Sequence, residues 1–449
     1  MTRAAVIGGG LAGITAAIGL ADAGCDVTLL ERQAHLGGLT HSFERDGMWV
    51  DNGQHVFLRC CTAYRSLLQR LGVAHLVTMQ DRLDIPMRSG RRATTGHLRR
   101  NGLPAPMHLA GSLARHPWLP VPDRVRAGKI ALALAAVDTA SAASDETSFG
   151  DWLDAHHCSR RLRENLWDVV GLATLNVRAD ECSLALAATV FQLGLLTDRT
   201  AGDIGWSDVP LSQLHGDAAV RALGAAGAEV RVRAKVERVT PASGRWVVQA
   251  DGVDTEYDQA VLAVPPDVTE RLAPWADLGV GPGYAARLGS SPIVNLHVLL
   301  DRVVLDTPFV VALDSPLQWV FDRTGQSGVR RGQYLAVSLS GADEVLPRTA
   351  AQLREIYLPE LRRLLPMMDW AHVLDFFVTR EPRATFRATP GTAAYRPTQR
   401  TGHVGLAVAG AWTATGWPAT MEGAVRSGRD AAAALLQETR RSPRDEVAA

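Results

Sequence analysis

The stretch from residue 4 to residue 31 constrains this chain more than any other, because its order of residue types suits one local topology. Ala4-Ala5-Val6-Ile7 is an apolar run of the kind a buried parallel strand requires, and Gly8-Gly9-Gly10-Leu11-Ala12-Gly13 follows as G-x-G-x-x-G. Leu11, Ile14, Ile18 and Ala21 then recur at helical spacing, Gly24 offers a stop, and Val27-Thr28-Leu29-Leu30 makes a second strand ending in Glu31. Gly8 suits the tight turn, Gly10 lets a backbone approach a pyrophosphate, and Gly13 allows helix and strand to pack closely. The helix N-terminus adds free N–H groups and a partial positive charge for the phosphates. Glu31 stands where a carboxylate accepts hydrogen bonds from a ribose. Strand, turn, helix, strand and acid in register predict a βαβ dinucleotide unit, where the glycines alone would predict only a turn.

The 449 residues allow two or three domains. Residues 81–145 hold many prolines and arginines and an apolar stretch from Ile130 to Val137, and read as an insertion carrying mobile or surface-seeking helices. Residues 149–200 read as helical and Asp217 to Ala226 as a short helix. Residues 229–233, 235–239 and 245–249 alternate as short strands, and Gln259 to Val264 is an apolar run like a central parallel strand. Strands are expected at Ile293–Leu300 and Tyr334–Leu339, a helix around Ala351–Leu365, a buried strand at Gly405–Ala409 and a helix from Met421 to Leu436. The fold class expected is α/β: a Rossmann-like nucleotide-binding domain from residues 1–80, 211–272 and 401–440, with a discontinuous mixed α+β substrate domain from 81–210 and 273–400. Residues 441–449 read as a frayed tail.

Lys plus Arg equals Asp plus Glu at 47 each, so charge does not suggest nucleic acid. Only Lys129 and Lys235 are lysines, which leaves few candidates for a catalytic amine. Cys25, Cys60, Cys61, Cys158 and Cys182 are odd in number and lack C-x-x-C spacing, so neither a disulfide framework nor a metal site is indicated; Cys60-Cys61 reads as free thiols before a redox pair. A reducing cytoplasm fits this usage, as does an N-terminus without signal-peptide character. No apolar run has the roughly 20 residues that span a bilayer.

Beyond the βαβ unit, Gly37-Gly38, Val261-Leu-Ala-Val-Pro-Pro266 and Gly410-x-Trp412 resemble the flavoprotein superfamily of amine oxidases and carotenoid desaturases. Within it, Asp51-Asn-Gly-Gln-His55, Ser315 to Arg323, Gly332-Gln-Tyr-Leu335 and Thr415 to Arg426 resemble the hydroxysqualene dehydroxylases, squalene-associated FAD enzymes of hopanoid biosynthesis. The resemblance covers nearly the whole chain. It implies FAD as cofactor and reductive removal of the hydroxyl of hydroxysqualene to give squalene. It also implies that FAD is held by Gly8, Gly10, Leu11, Ala12, Gly13, Glu31, Arg32, Gly37, Gly38 and Leu39, by Asp51, Gly53, Gln54 and His55, by Val236 and Ala263, and by Gly410, Trp412, Trp417, Pro418 and Ala419. Two positions depart from the superfamily: Leu39 replaces an arginine near the pyrophosphate, and Ala411 replaces an aspartate that bonds the ribityl chain. Each loses one charge-assisted hydrogen bond, worth about 1.5 to 3 kcal/mol.

His55, Asp322 and Arg323 are the catalytic candidates. His55 and Arg323 face flavin or substrate, or else are satisfied structural residues. Asp322 donates a proton or pairs with Arg323, and Asp51 bonds the flavin or caps a turn. Trp319, Trp412 and Trp417 shape an apolar cavity or belong to the core. The alternatives in function are a carotenoid-type desaturase or an amine oxidase, many of which place a lysine near flavin N5 where this chain has Asn295, and a non-enzymatic isoprenoid escort. An isoprenoid substrate leads to one more expectation, a protein peripheral to the inner face of the cell membrane. Leu103, Pro104, Met107, Leu109, Leu113, Trp118 and Leu119, with Arg115, Arg124, Arg126 and Lys129, have the composition of an interfacial segment. The alternative is an ordinary cap over the cavity.

Overall fold

A computed structural model describes residues 1–90 and 92–441. Its centre is a five-stranded, wholly parallel sheet whose strands come from three distant parts of the chain, in the order Glu229–Val232, Asp26–Glu31, Arg3–Ile7, Gln259–Leu262 and Leu406–Val408. Alternation along these strands separates two faces. Ala4, Val6, Val27, Leu29, Val261 and Ala407 pack under helices Leu11–Asp22, Ala218–Ala225 and Met421–Arg441. Ala5, Ile7, Leu30, Ala260, Leu262 and Val408 face the other way, toward Val239, Trp246 and Val248 of an antiparallel meander spanning Val236–Ala242, Arg245–Ala250 and Val253–Tyr257. With both faces covered, the strands inward of the exposed edge strand Glu229–Val232 read as near-continuous apolar runs.

A second, seven-stranded sheet runs in the order Val373–Thr385, Ser291–Leu300, Gln333–Ser340, Trp319–Asp322, Phe309–Leu313, Asp84–Ser89 and Arg92–Arg99. Its pairs are antiparallel apart from Phe309–Leu313 with Asp84–Ser89. A three-stranded sheet, Val56–Leu58, Ile204–Ser207 and Val77–Met79, joins the first eighty residues to the end of the following helical region. Three helical turns in that region are π-type: Arg163–Trp167, Gln192–Leu196 and Ser212–Asp217.

The expectation for residues 81–145 needs correction. The segment opens with the two strands that complete the seven-stranded sheet, because Ile85, Met87 and Leu98 bury one face among Phe309, Val311 and Trp319. Trp118 and Leu119, expected at an interface with lipid, are 4% and 1% exposed. Leu119 packs with Ile130 and Leu134 of helix Val121–Ala135. The Arg124 guanidinium donates to the carbonyls of Leu119 and Ala114, so its charge is tied to the backbone. The side chains left in solvent are Leu103, Met107, Val121, Val125 and Leu132. Of the expected tail, residues 442–449 lie outside the described residues.

Burial of Leu119 makes a prediction: Leu119→Ala destabilises the protein by about 2–5 kcal/mol in urea unfolding, whereas a lipid-facing leucine would change stability little.

Candidate active site

The carboxyl ends of the parallel strands open into one large cavity of about 1020 Å³ that continues onto the face of the seven-stranded sheet. That is the upper end of the range for ligand pockets, about 300–1,000 Å³, so it has room for more than one small ligand. Gly8, Gly10, Leu11, Ala12, Glu31, Arg32, Gly37, Gly38 and Leu39 line one end with Val236, Ala263, Gly410, Trp412 and Ala419. Leu58, Leu83, Ile85, Val170, Val190, Leu195, Ile204, Trp319 and Phe321 line the other. Gly53, Gln54, His55 and Asn295 also lie on the wall.

The three motif glycines are glycine for different reasons. A Cβ on Gly13 would stand 1.8 Å from the Gly8 carbonyl oxygen, and one on Gly8, where φ is +106°, would stand 2.3 Å from the Ala263 oxygen. Those two are demanded by packing of the protein itself. Gly10 has an ordinary φ of −75°, and its Cβ would meet nothing nearer than the Gly38 Cα at 3.9 Å. The chain leaves this cradle open beside a helix N-terminus, as a pyrophosphate needs. Gln54 points the same way, since both its amide atoms are buried without a partner among the described residues. Glu31 accepts from Gly9 N–H at 2.6 Å and Gln33 N–H at 2.7 Å, which fixes its carboxylate at the wall with lone pairs to spare for a ribose.

Several expected residues act from behind the wall. Gly13 is within the helix, and Trp417 and Pro418 are absent from the lining. Trp417 lies under Arg426, with guanidinium carbon and ring centroid 5.0 Å apart. Asp51 is buried, accepts from the Ser42 hydroxyl at 2.6 Å and the Leu211 N–H at 3.1 Å, and is ion-paired to Arg323. Arg323 is thus paired with Asp51 through one guanidinium nitrogen, while its Nε is buried with no partner among the described residues. Asp322 is not paired with Arg323; it accepts from the N–H and hydroxyl of Thr324 and from Gln333 Nε2. Neither Asp322 nor Arg323, both expected to be catalytic, is on the wall of the large cavity. The pair Asp51–Arg323 ties the turn carrying Gly53, Gln54 and His55 to the strand Trp319–Asp322. His55 does reach the cavity. Burial pushes its pKa down to about 4, against an opposing pull from Asp51, so at neutral pH it is an uncharged imidazole that can share hydrogen bonds but has no extra proton to give.

Sequence reasoning missed Arg396, which is buried and donates to the carbonyls of Trp412, Ala411, Thr413 and Trp417 while stacking 4.7 Å from the Phe386 ring centroid. It holds the loop that carries Gly410 and Ala411 against the cavity; burial lowers its pKa to about 10, leaving it charged at neutral pH. No local pattern marks it, because its partners are backbone oxygens. Glu422, in the last sequence motif, caps helix Thr62–Arg70 by accepting from Ala63 and Tyr64 N–H. Leu39 and Ala411 both lie on the wall and bring no charge to it.

The Flavin containing amine oxidoreductase family matches residues 11–436. The chain belongs to this family. FAD is accordingly the cofactor that the open glycine cradle, Glu31 and the unpaired Gln54 amide fit. A hydroxysqualene dehydroxylase of Rhodopseudomonas palustris is 30% identical over 96% of this chain and 97% of its own length. One from Sinorhizobium fredii is 27% identical over 97% and 98%, and a 15-cis-phytoene desaturase of Solanum lycopersicum is 24% identical over 96% and 77%. Among solved structures, cyclohexylamine oxidase from Brevibacterium oxydans superposes with a TM-score of 0.74 at 19% identity, over 98% of this chain and 99% of that one. Putrescine oxidase gives 0.72 at 19%, over 97% and 99%. These structural likenesses establish the flavoprotein fold.

Because the Gly10 cradle is empty of protein, Gly10→Val should fold normally yet fail to bind FAD. Saturating FAD stabilises the wild type by about 2.7 kcal/mol at a hundred times its dissociation constant and leaves this variant unchanged, whereas Gly13→Val disrupts the fold itself. Thermal melts with and without FAD, together with flavin absorbance, check both.

Proposed function

We propose that this flavin-dependent oxidoreductase removes the hydroxyl of hydroxysqualene reductively, giving squalene for hopanoid biosynthesis. The observation that carries the reading is the shape of the cavity: the flavin cradle opens directly onto a wall of aliphatic and aromatic side chains, and the polar position on the strand between them is the neutral Asn295. A C30 isoprenoid alcohol matches that wall, and Asn295 stands where many amine oxidases place a lysine near flavin N5. The relatives named hydroxysqualene dehydroxylase, matched over nearly their whole length, support the same reading.

The balance of the reaction is an alcohol, two electrons and two protons giving a hydrocarbon and water. Bound FAD, reduced by an external donor, supplies the hydride equivalent. The chain's own part is to orient the alcohol and exclude water while the allylic C–O bond is cleaved. Leu58, Ile85, Val190 and Phe321 provide a dry environment for the polyene. Trp319 is fixed in that wall by donating its indole N–H to the Val169 carbonyl at 3.1 Å. Neutral His55 lies on the wall without adding a charge that would repel a developing cation. A carotenoid-type desaturase is the second reading, favoured by the match to phytoene desaturases, and it would take hydrogen from the substrate instead of delivering it. Anaerobic incubation of photoreduced holoenzyme with hydroxysqualene should yield squalene in a single turnover, read by mass. Turnover of a polyene only by oxidised enzyme would favour the desaturase, and no turnover of either would leave the escort.

A C30 substrate at about 0.8 kcal/mol per buried methylene strongly prefers lipid to water, so this function asks for contact with a bilayer. No helix of the described residues is long and apolar enough to cross one. The proposed contact is peripheral and on the cytoplasmic side, in keeping with five unpaired cysteines. It uses the side chains left in solvent: Val121 (65% exposed), Val125 and Leu132 (63%) on one helix, with Leu103 and Met107 before it and Lys129 exposed between them for anionic headgroups. In flotation with anionic vesicles, Val121→Ser/Val125→Ser/Leu132→Ser should lower the bound fraction about ten-fold or more. Wild type that stays in the soluble fraction would refute the contact.

A further inference from the structure

A polar row crosses the floor of the cavity, beside a second row in which Ile293 is paired with Ser340 and Glu381. Asn295 and Ser338 are directly paired across strands Ser291–Leu300 and Gln333–Ser340, and Ser338 is in turn paired with Trp319. Directly opposed residues project from the same face with Cβ atoms about 4.5–5.5 Å apart, and all three line the cavity. The neighbouring row, His297, Ala336 and Phe321, contributes an aromatic ring to the wall.

The two polar groups are incompletely used by the protein. Asn295 is 1% exposed; its Nδ2 donates to the Asn52 carbonyl at 3.3 Å, while Oδ1 is buried and has no partner among the described residues. The Ser338 hydroxyl makes no hydrogen bond among the described residues. Burying an acceptor without a donor is destabilising, and such a group in a native cavity points to a ligand that supplies the donor. Asn295 Oδ1 can only accept, and Ser338 can donate. A ligand hydroxyl satisfies both at once, donating to Oδ1 and accepting from the serine O–H. Neither side chain ionises, so the pair has no charge to offer an ammonium or a carboxylate.

Resting on the function proposed above, we propose that Asn295 and Ser338 form the subsite for the alcohol group of the isoprenoid substrate. The alcohol O–H donates to Asn295 Oδ1 and its oxygen accepts from the Ser338 hydroxyl. The C–O bond is thereby anchored on the sheet face between the flavin cradle and the apolar wall. Recognition of the hydroxyl is then a property of two strands that meet only in the folded sheet.

The test uses FAD-loaded, oxidised full-length protein, with hydroxysqualene and squalene as paired probes, and reads affinity from perturbation of the flavin absorbance. Wild type binds the alcohol at least about ten-fold more tightly than the hydrocarbon, the value of one hydrogen bond. Ser338→Ala and Asn295→Leu bring that ratio close to one with squalene affinity unchanged, and Ser338→Thr, which keeps the hydroxyl, preserves it. Equal affinity of wild type for both probes overturns the subsite while leaving the isoprenoid reading intact, as does an unchanged ratio in both variants. Loss of FAD from Asn295→Leu overturns it too, by making Asn295 a cofactor ligand. Binding of neither probe to wild type removes the proposed function, and the subsite with it.

Discussion

The close approach of helix Leu11–Asp22 to the parallel sheet is the constraint on which the rest of the site depends. It exists because Gly8 and Gly13 have no side chains: the Gly13 Cα faces the Gly8 carbonyl, and Gly8 in turn faces the backbone of Ala263 on the neighbouring strand's end. That contact brings Gly8, Gly10, Leu11 and Ala12 to the same cavity edge as residues 263–266, from far along the chain. It also aims the helix N-terminus at the place a pyrophosphate occupies. Gly10 sits between the two packing glycines and is left open, so the protein's tightest packing and its ligand cradle are adjacent.

Long-range polar contacts do for the loops what the glycines do for the helix. Asp51 and Arg323 join a turn near the N-terminus to a strand of the seven-stranded sheet, and Arg396 collects carbonyls of the loop from Ala411 to Trp417. Buried charges are retained where every partner is in place, and removing one partner from such a pair is strongly destabilising. The flavin end of the cavity is therefore held by buried side chains that do not line it. This arrangement is compatible with uncharged residues at Leu39 and Ala411, because the loops do not rely on those positions to stay in place.

The nucleotide-binding half was legible because its signals are local. A strand, a turn, a helix stripe and an acid occur within residues 4–31, and both sides of the sheet being covered makes Gln259–Leu262 and Leu406–Val408 conspicuous as apolar runs. The strands after residue 81 are not legible in the sequence, for the opposite reason. Strands Asp84–Ser89 and Arg92–Arg99 contain proline, arginine and glycine, and they are strands because Phe309–Leu313 offers them an edge more than two hundred residues later. Likewise Trp118 and Leu119 have the same apolar character as Val121 and Val125, and only tertiary packing, such as that of Ile130 and Leu134 against Leu119, decides which are buried and which are exposed.

The sequence by itself determined the βαβ unit, the cofactor class and the family to which the motifs belong, because glycine spacing and strand hydrophobicity answer to constraints a few residues long. Tertiary structure decided which polar residues reach the cavity. His55 reaches the cavity and is uncharged because it is desolvated there; Asp322 and Arg323 turn away to Thr324, Gln333 and Asp51. Asn295 and Ser338 become neighbours only through strand register, which sets residues 43 positions apart side by side on one face. A side chain's type is written in the chain, but its partner and its access to water depend on which distant strand is laid beside it.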